Sequence, residues 1–368
     1  MKKNRILTPT MNRREFLTNA LVGMGVVATK PWQYWNYLNA QFPDAERLGR
    51  VCVGRIDLRQ RPSADSASVG VLYEDGVVNW LREVIGEAPG LALSKRWIET
   101  PDGYLYAPSV QPVLNQPNEV VGSIPTTSMG NGFWAEVTVP WVDIYLANPP
   151  ARSPWLQEAV SPRLYYSQVM WIDDMRTLTD GTIQYRVNEK YGTYGDIFWA
   201  DARAFRPLTE EDIAPISPEV EEKTILVDLN YQTLSCFEGS REVYFCRISS
   251  GAKFNAWGEK VESWGTPTGS HFIWRKLVSI HMAGGTVGTG YDLPGIPWTC
   301  LFIGDGVAVH STFWHNDYGT PRSHGCVNAR PEDAKFVFRW TTPIVSIDPG
   351  DLTVSGMNSS TNIKVIEA

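Results

Sequence analysis

The chain has 368 residues, more than a single hydrophobic core usually organises, so two or three domains are expected. Hydrophobic residues make up 43% and the formal net charge is −7, an ordinary globular composition whose acidic balance excludes nucleic acid as the partner. Fifteen Trp and fifteen Tyr suit aromatic-lined clefts for sugars or peptides and suit small β-rich cores equally well.

Residues 1–40 read as a targeting segment and linker. Lys2, Lys3, Arg5, Arg13 and Arg14 make a basic start, and Asn12-Arg13-Arg14-Glu15-Phe16-Leu17 resembles a twin-arginine export motif. The apolar run from Ala20 to Ala28 is too short to cross a ~30 Å hydrocarbon core, which takes about 20 apolar residues. Cleavage fits Val26-Val27-Ala28 or Leu38-Asn39-Ala40; a retained anchor and a plain basic tail are the alternatives. The expectation is an exported protein, periplasmic or associated with the cell wall.

An aromatic linker (Trp32, Tyr34, Trp35, Tyr37) leads to a β-rich unit over residues 48–114. Its strand-like runs are Arg50–Val53, Gly70–Leu72, Val77–Leu81 and Arg96–Glu99, punctuated by Asp75-Gly76 and Asp102-Gly103. Leu58-Arg59-Gln60-Arg61-Pro62-Ser63, Trp97-Ile98 and Gly103-Tyr104-Leu105-Tyr106 resemble the bacterial SH3 pattern. A second β-rich unit, residues 132–207, has strands at Ala135–Val139, Tyr165–Ile172, Ile183–Val187 and Ile197–Ala200, and reads as a degenerate copy of the first. Residues 208–220, with Glu210-Glu211-Asp212 and prolines at 215 and 218, read as an acidic linker.

The third unit, residues 221–350, opens with the strand pair Thr224–Leu229 and Gln232–Phe237. Val243–Ser249 and His271–Lys276 continue the alternation. One helix is expected after Pro331, with Glu332 and Asp333 in its first turn and Ala334, Val337, Phe338 and Thr341 on one face. Ile344–Ile347 reads as a late strand, and residues 351–368 as a tail or an extra strand over Ile363–Ile366. No alternating βαβ pattern appears, so the fold class is mainly β rather than a doubly wound parallel sheet.

Chemistry concentrates in Ser323-His324-Gly325-Cys326-Val327-Asn328, with His310 sixteen positions before the cysteine. A thiol, two imidazoles and a glycine turn in one short segment are what a cysteine acyl-transferase requires. A free thiol near pKa 8.5 is only about 3% thiolate at neutral pH, so an activating base or positive charge is expected beside Cys326. His310 ends the apolar run Val307-Ala308-Val309, and the loop after it can return Cys326 to its side. His324 is the other candidate base. Five cysteines leave at least one thiol unpaired; Cys236 and Cys246 either pair across a hairpin or stay buried and inert.

These residues resemble the L,D-transpeptidase family, the YkuD-domain enzymes, whose pattern is a histidine, a variable spacer, then Ser/Thr-His-Gly-Cys, a hydrophobic residue and Asn or Arg. The resemblance continues through Thr266-Pro267-Thr268-Gly269, His281-Met282 and Tyr291-Asp292-Leu293-Pro294-Gly295-Ile296-Pro297-Trp298, and covers roughly 221–348. It implies two SH3-like β-barrels followed by a β-rich catalytic domain. Cys326 would be the nucleophile and His310 the base, its imidazole oriented by the carbonyl of Ser311. Gly325, with the amides around it, would serve the oxyanion. His324, Asn328, His315, Tyr291, Trp298 and Met282 would line the substrate cleft, His315 as part of a lid or as a solvent-exposed loop residue, and Asn328 alternatively as a helix cap. The implied partners are peptidoglycan stem peptides, with carbapenem-type β-lactams as covalent inhibitors. No cofactor and no metal are implied.

Rival readings are weaker. His310, His315, His324 and Cys326 are zinc-ligand types, but no pair except His324-Gly325-Cys326 has ligand spacing and no general-base Glu stands near them. A papain-like wall hydrolase places its cysteine before its histidine, the reverse of the order here. An L,D-carboxypeptidase using water as the acceptor, and a non-catalytic wall-binding protein, remain as alternatives.

Overall fold

Period-2 patterning governs the first β unit: in Arg55–Arg59, Ile56 and Leu58 point inward and Arg55, Asp57 and Arg59 outward. The computed structural model describes residues 42–254, 258–285, 290–304, 306–356 and 360–367. The export motif and the aromatic linker lie outside the described residues. The first unit contains β1 (Leu48–Val51), β2 (Arg55–Arg59), β3 (Ser68–Tyr73), β4 (Val77–Asn79), β5 (Arg82–Ile85), β6 (Arg96–Thr100), β7 (Gly103–Tyr106) and β8 (Val110–Val113). They form a three-stranded sheet, β4-β1-β8, and a five-stranded sheet, β3-β2-β7-β6-β5. Val51, Leu58, Trp80, Ile98, Leu105 and Val110 fill the space they enclose.

After a short hairpin, β9 (Thr126–Thr127) and β10 (Gly130–Asn131), the second unit builds one seven-stranded sheet. Its strands are β11 (Phe133–Val137), β12 (Trp141–Leu146), β13 (Arg163–Tyr165), β14 (Val169–Thr177), β15 (Ile183–Asn188), β16 (Ile197–Asp201) and β17 (Phe205–Pro207), with a short helix α1 (Pro154–Glu158) after β12. Their order is β13-β12-β16-β15-β14-β11-β17. Both units end alike: a 3-10 turn, Ala107–Ser109 or Ala202–Ala204, leads into the last strand.

The segment expected as a linker is ordered. Thr209 and Asp212 form a capping box at the start of α2 (Glu210–Ile213), where each satisfies the other's backbone amide. Asp212 pairs with Arg206 and with Lys335. Burial opposes its charge, but those two cations prevail and hold its carboxyl well below the usual range.

The third unit has β18 (Lys223–Asp228), β19 (Thr233–Glu238), β20 (Arg241–Arg247), β21 (Gly269–Phe272), β22 (Arg275–Gly284), β23 (Tyr291–Ile303), β24 (Val307–Ser311), β25 (Val327–Ala329), then α3 (Pro331–Trp340), β26 (Asp351–Thr353) and β27 (Asn362–Ile366). Two five-stranded sheets result, β20-β19-β18-β27-β21 and β25-β24-β23-β22-β26. Ile225, Val227 and Ile363 from the first share a core with Val278, Val309 and Val327 from the second and with Ala334, Val337 and Phe338 of α3. The C-terminal strand is interior: β27 lies between β18, with which it runs parallel, and β21. The strand expected at Ile344–Ile347 does not form. Pro343 and Pro349 bracket it, and proline cannot donate to a ladder, so the chain turns here and resumes pairing at β26.

Two buried lysines finish α3. Lys276 Nζ donates to Phe338 O (2.6 Å) and Thr341 O (2.7 Å), and Lys223 Nζ donates to Trp340 O (2.8 Å). Each meets carbonyls that the last turn of a helix leaves without partners, at the negative end of its dipole. All five cysteines are free; Cys236 and Cys246 are not bonded, and their neighbours across the ladder are Tyr244 and Leu234.

Candidate active site

β24 and β25 are parallel neighbours, with Val309 opposite Val327 and His310 opposite Asn328. A parallel pair needs a long crossover, and residues 312–326 supply it. Cys326 is thereby delivered at the foot of β25, where its half-buried Sγ lies 3.5 Å from Gly306 O, the acceptor for the thiol.

The turn that carries the thiol is tied internally and to the segment that follows β20. Ser323 Oγ donates to Cys326 O (2.5 Å) and accepts from Gly325 N (3.1 Å). Gly325 has φ +124°, a conformation that side-chain-bearing residues avoid. Its carbonyl accepts from Thr266 Oγ1 (2.8 Å), which in turn accepts from Gly251 N (2.9 Å). Arg322 N and Ser323 N both donate to Ser250 O, and Ala252 N donates to Ser323 O. A Cβ on Gly251 would stand 2.0 Å from Trp264 O, so this close approach admits only glycine. The amide of Gly325, expected to serve an oxyanion, is thus committed to closing the turn. The run Ser249-Ser250-Gly251 went unnoticed in the sequence; its small residues ahead of a loop are the signal that marks it.

His310 is buried, and its Nδ1 lies 2.7 Å from Ser311 O. A carbonyl only accepts, so Nδ1 carries the proton and Nε2 keeps its lone pair. Burial lowers the imidazole pKa to about 4, against the opposing Ser311 carbonyl, and His310 is neutral at pH 7. Burial also pushes the Cys326 thiol up to about 11, with the Ala308 amide pulling the other way. Where a lowered thiol pKa was expected, desolvation raises it, and at neutral pH Cys326 is a thiol and His310 a neutral imidazole.

His324 lies between two aromatic rings, Trp264 at 4.2 Å and Tyr291 at 5.4 Å between centroids. Tyr291 also senses the thiol: its pKa is raised, first by burial and then by the Cys326 charge. These three rings form an aromatic group beside Cys326. The other expected cleft residues sit elsewhere. Trp298 is fully buried against Phe338 of α3, because the middle of β23 is covered on both faces. Met282 is buried in a cluster with Leu277, Ile296 and Phe313. His315 is buried, neither a lid nor exposed. Its Nδ1 accepts from Asp317 N (3.1 Å), so Nε2 carries the proton and the Asn328 amide that meets it at 3.1 Å presents its oxygen. That orientation also satisfies an otherwise unpaired buried Asn328 Oδ1. Asn328 does not cap α3, a position held by Arg330.

A second histidine cluster lies on the hairpin that bears Tyr291. His281 occupies a register shift between Ile280 and Met282. Its Nδ1 is 2.8 Å from Glu189 Oε2 of the second unit and its Nε2 is 2.5 Å from Asp292 Oδ1. Glu189 also accepts from Gly295 N (3.0 Å) and Asp292 from Trp155 N (2.9 Å). Burial disfavours the charged ring, but the two carboxylates outweigh it and His281 has a raised pKa. A raised histidine pKa stabilises the fold fully below the unfolded value of about 6.5, and that share is lost as pH climbs through the higher folded value. His281→Gln should therefore cost about 3–5 kcal/mol at pH 6, the usual effect of breaking a buried pair. The gap in Tm between variant and wild type should narrow between pH 6 and pH 9. A gap independent of pH would mean that His281 is neutral in the clamp.

Residues 222–354 match the family model described as the YkuD L,D-transpeptidase catalytic domain. No curated protein matches the chain. Among solved structures, the chain is similar to the Enterococcus faecium L,D-transpeptidase C442S mutant, at 24% identity over 40% of this chain and 51% of that one, with a TM-score of 0.30. It is also similar to the L,D-transpeptidase from Mycobacterium smegmatis, at 16% identity over 61% and 99%, with a TM-score of 0.31. The structure of LdtMt1 in complex with imipenem matches at 18% identity over 54% and 89%, with a TM-score of 0.30. The chain spans about half the length of the first of these.

Proposed function

We propose that the chain is a peptidoglycan L,D-transpeptidase. The observation that carries this reading is the parallel pairing of β24 with β25, which sets a neutral His310 opposite Asn328, two residues from the Cys326 thiol, inside the segment that matches the YkuD catalytic domain. His310 Nε2 takes the thiol proton as Sγ attacks the acyl carbon that joins the third stem residue to D-Ala in a tetrapeptide. The C–N bond breaks, D-Ala leaves with a proton, and a thioester to Cys326 remains. An amine from a neighbouring stem then attacks the thioester, its proton passing to His310, and the thiol is released. The rim of Trp264, Tyr291 and His324 offers flat surfaces for the stem. Export by the twin-arginine route places the enzyme outside the cytoplasm, where its substrate is, and retention of the full chain in a cytoplasmic fraction would count against it. The two N-terminal β units are read as SH3-like barrels.

Mass spectrometry of the purified protein with a disaccharide-tetrapeptide tests the reaction. The expected products are free D-Ala, an acyl adduct on Cys326 and a cross-linked dimer. Tripeptide without dimer would reassign the protein as an L,D-carboxypeptidase, and absence of D-Ala release would leave a non-catalytic wall-binding protein.

A further inference from the structure

The loop between His310 and Cys326 does not rest on the catalytic unit alone. Arg50, on β1 of the first unit, is buried with only 2% of its surface exposed, yet its guanidinium makes four hydrogen bonds. Nε and Nη2 donate to Gln111 Oε1 (3.1 and 2.9 Å), Nη1 donates to Asp75 Oδ1 (3.0 Å), and Nη2 donates to Phe313 O (2.6 Å). The last bond reaches the backbone two residues beyond Ser311, whose carbonyl is the partner of His310 Nδ1.

The second unit reaches the same spot. The Arg50 guanidinium lies 4.1 Å from the centroid of Tyr165, and Tyr165 stacks on Phe313 at 5.7 Å. Phe313 packs edge-on against Trp314 (5.1 Å), and the Trp314 ring lies 5.9 Å from that of His310. Asp75 also holds Arg163, so Arg50 is locked from both sides. Farther along the loop, Asn316 N donates to Pro108 O (3.0 Å) and Arg96 Nη1 donates to Asn316 O (3.1 Å). A buried arginine is costly to place unless its donors find partners, and here one of the four bonds goes to a catalytic-loop carbonyl.

We infer that Arg50 is a positioning residue for His310, and that the first β unit is a structural part of the catalytic site rather than an independent appendage. The inference rests on the reading of Cys326 as nucleophile and His310 as base. A planar fork is needed to hold Gln111 and Phe313 together, and lysine can keep the charge opposite Asp75 without reproducing it.

The test uses the full chain, with imipenem as the acylating probe, and follows adduct formation on Cys326 by whole-protein mass from pH 5 to pH 10. Wild type should acylate at a nearly constant rate across the neutral range, because His310 is already unprotonated. Arg50→Met should be about 10–100-fold slower at pH 7, a general-base loss of partial size. Its rate should then rise with pH as the thiolate route takes over and come within about twofold of wild type at pH 10, where the thiolate no longer needs the base. Arg50→Lys should fall between the two. Should Arg50→Met prove unstable, Tyr165→Leu removes the stack on Phe313 from the other unit and should show the same change of pH profile. A purely structural role would lower the rate equally at pH 7 and pH 10, or only lower Tm, and would overturn the inference. Unchanged rates in all three variants would do the same. A wild-type protein that takes no imipenem would overturn the nucleophile reading and this inference with it.

Discussion

Incubated with a carbapenem, the wild-type protein should gain one equivalent of mass on the Cys326 peptide, and Cys326→Ala should gain none while keeping its Tm. The strained lactam supplies an acyl group, and the difference between the five thiols lies in access and in a base. Cys236, Cys246 and Cys300 are buried with raised pKa values, so they should stay unmodified. Cys326 is raised as well, to about 11, leaving roughly one thiolate in 10⁴ at pH 7. Reaction at neutral pH therefore depends on His310 accepting the proton during attack. His310→Gln should slow acylation about 10²–10⁴-fold at pH 7. In wild type the rate should fall only below about pH 4, where the His310 imidazole takes a proton. In His310→Gln it should climb tenfold per pH unit toward the thiol pKa. Acylation that survives His310→Gln unchanged and disappears in His324→Gln would transfer the role of base to His324. Equal labelling of several cysteines would remove the case for Cys326.

A chain ended after Val354, the last residue of the matched catalytic segment, should not fold its catalytic unit. The missing piece includes β27, which pairs with β18 over five residues and with β21 over four. Its loss exposes two ladder edges and removes Ile363 and Val365 from the core, each worth about 1.5–3 kcal/mol on burial alone. Thr361 goes too, with the bonds it makes to Thr342 N (2.8 Å) and Ile273 N (3.1 Å). Those terms come to about 4–9 kcal/mol before the two open ladder edges are counted, a loss comparable with a typical whole stability of about 5–15 kcal/mol. The milder Ile363→Ala should stay folded and lose about 2–5 kcal/mol. Cooperative thermal unfolding of the shortened chain at the wild-type Tm would show that β27 is dispensable.

What the sequence made legible was local. Ser323 to Asn328, His310 and the carbonyl of Ser311 are close in the chain, and one turn and one strand pair bring them together. The helix after Pro331 follows from its proline, its acidic first turn and its apolar face. Tertiary effects were not legible. Desolvation of Cys326 depends on every neighbour at once, so a thiol of lowered pKa looked reasonable where burial raises it instead. Trp298 and Met282 look like cleft residues in a linear motif, yet β22 and β23 are covered on both faces at those positions. Glu189 and Arg50 reach the third unit from 92 and 263 residues away, to His281 and Phe313 respectively, and no short motif encodes such a partnership. Ile344–Ile347 has the composition of a strand, but its flanking prolines decide otherwise.

The interior place of β27 sets an order of events during synthesis. The ribosome delivers β18 to β25 and the Cys326 turn first, yet the sheet that backs them is open between β18 and β21 until residue 366 has emerged. Parallel pairing with β18 joins segments more than a hundred residues apart, a contact that forms late. A nascent chain therefore carries the Cys326 thiol before it carries Ile363 and Val365, the β27 side chains that share a core with Val309 and Val327 beside it. A protein built this way closes the core behind its thiol-bearing strand as one of its last acts of folding.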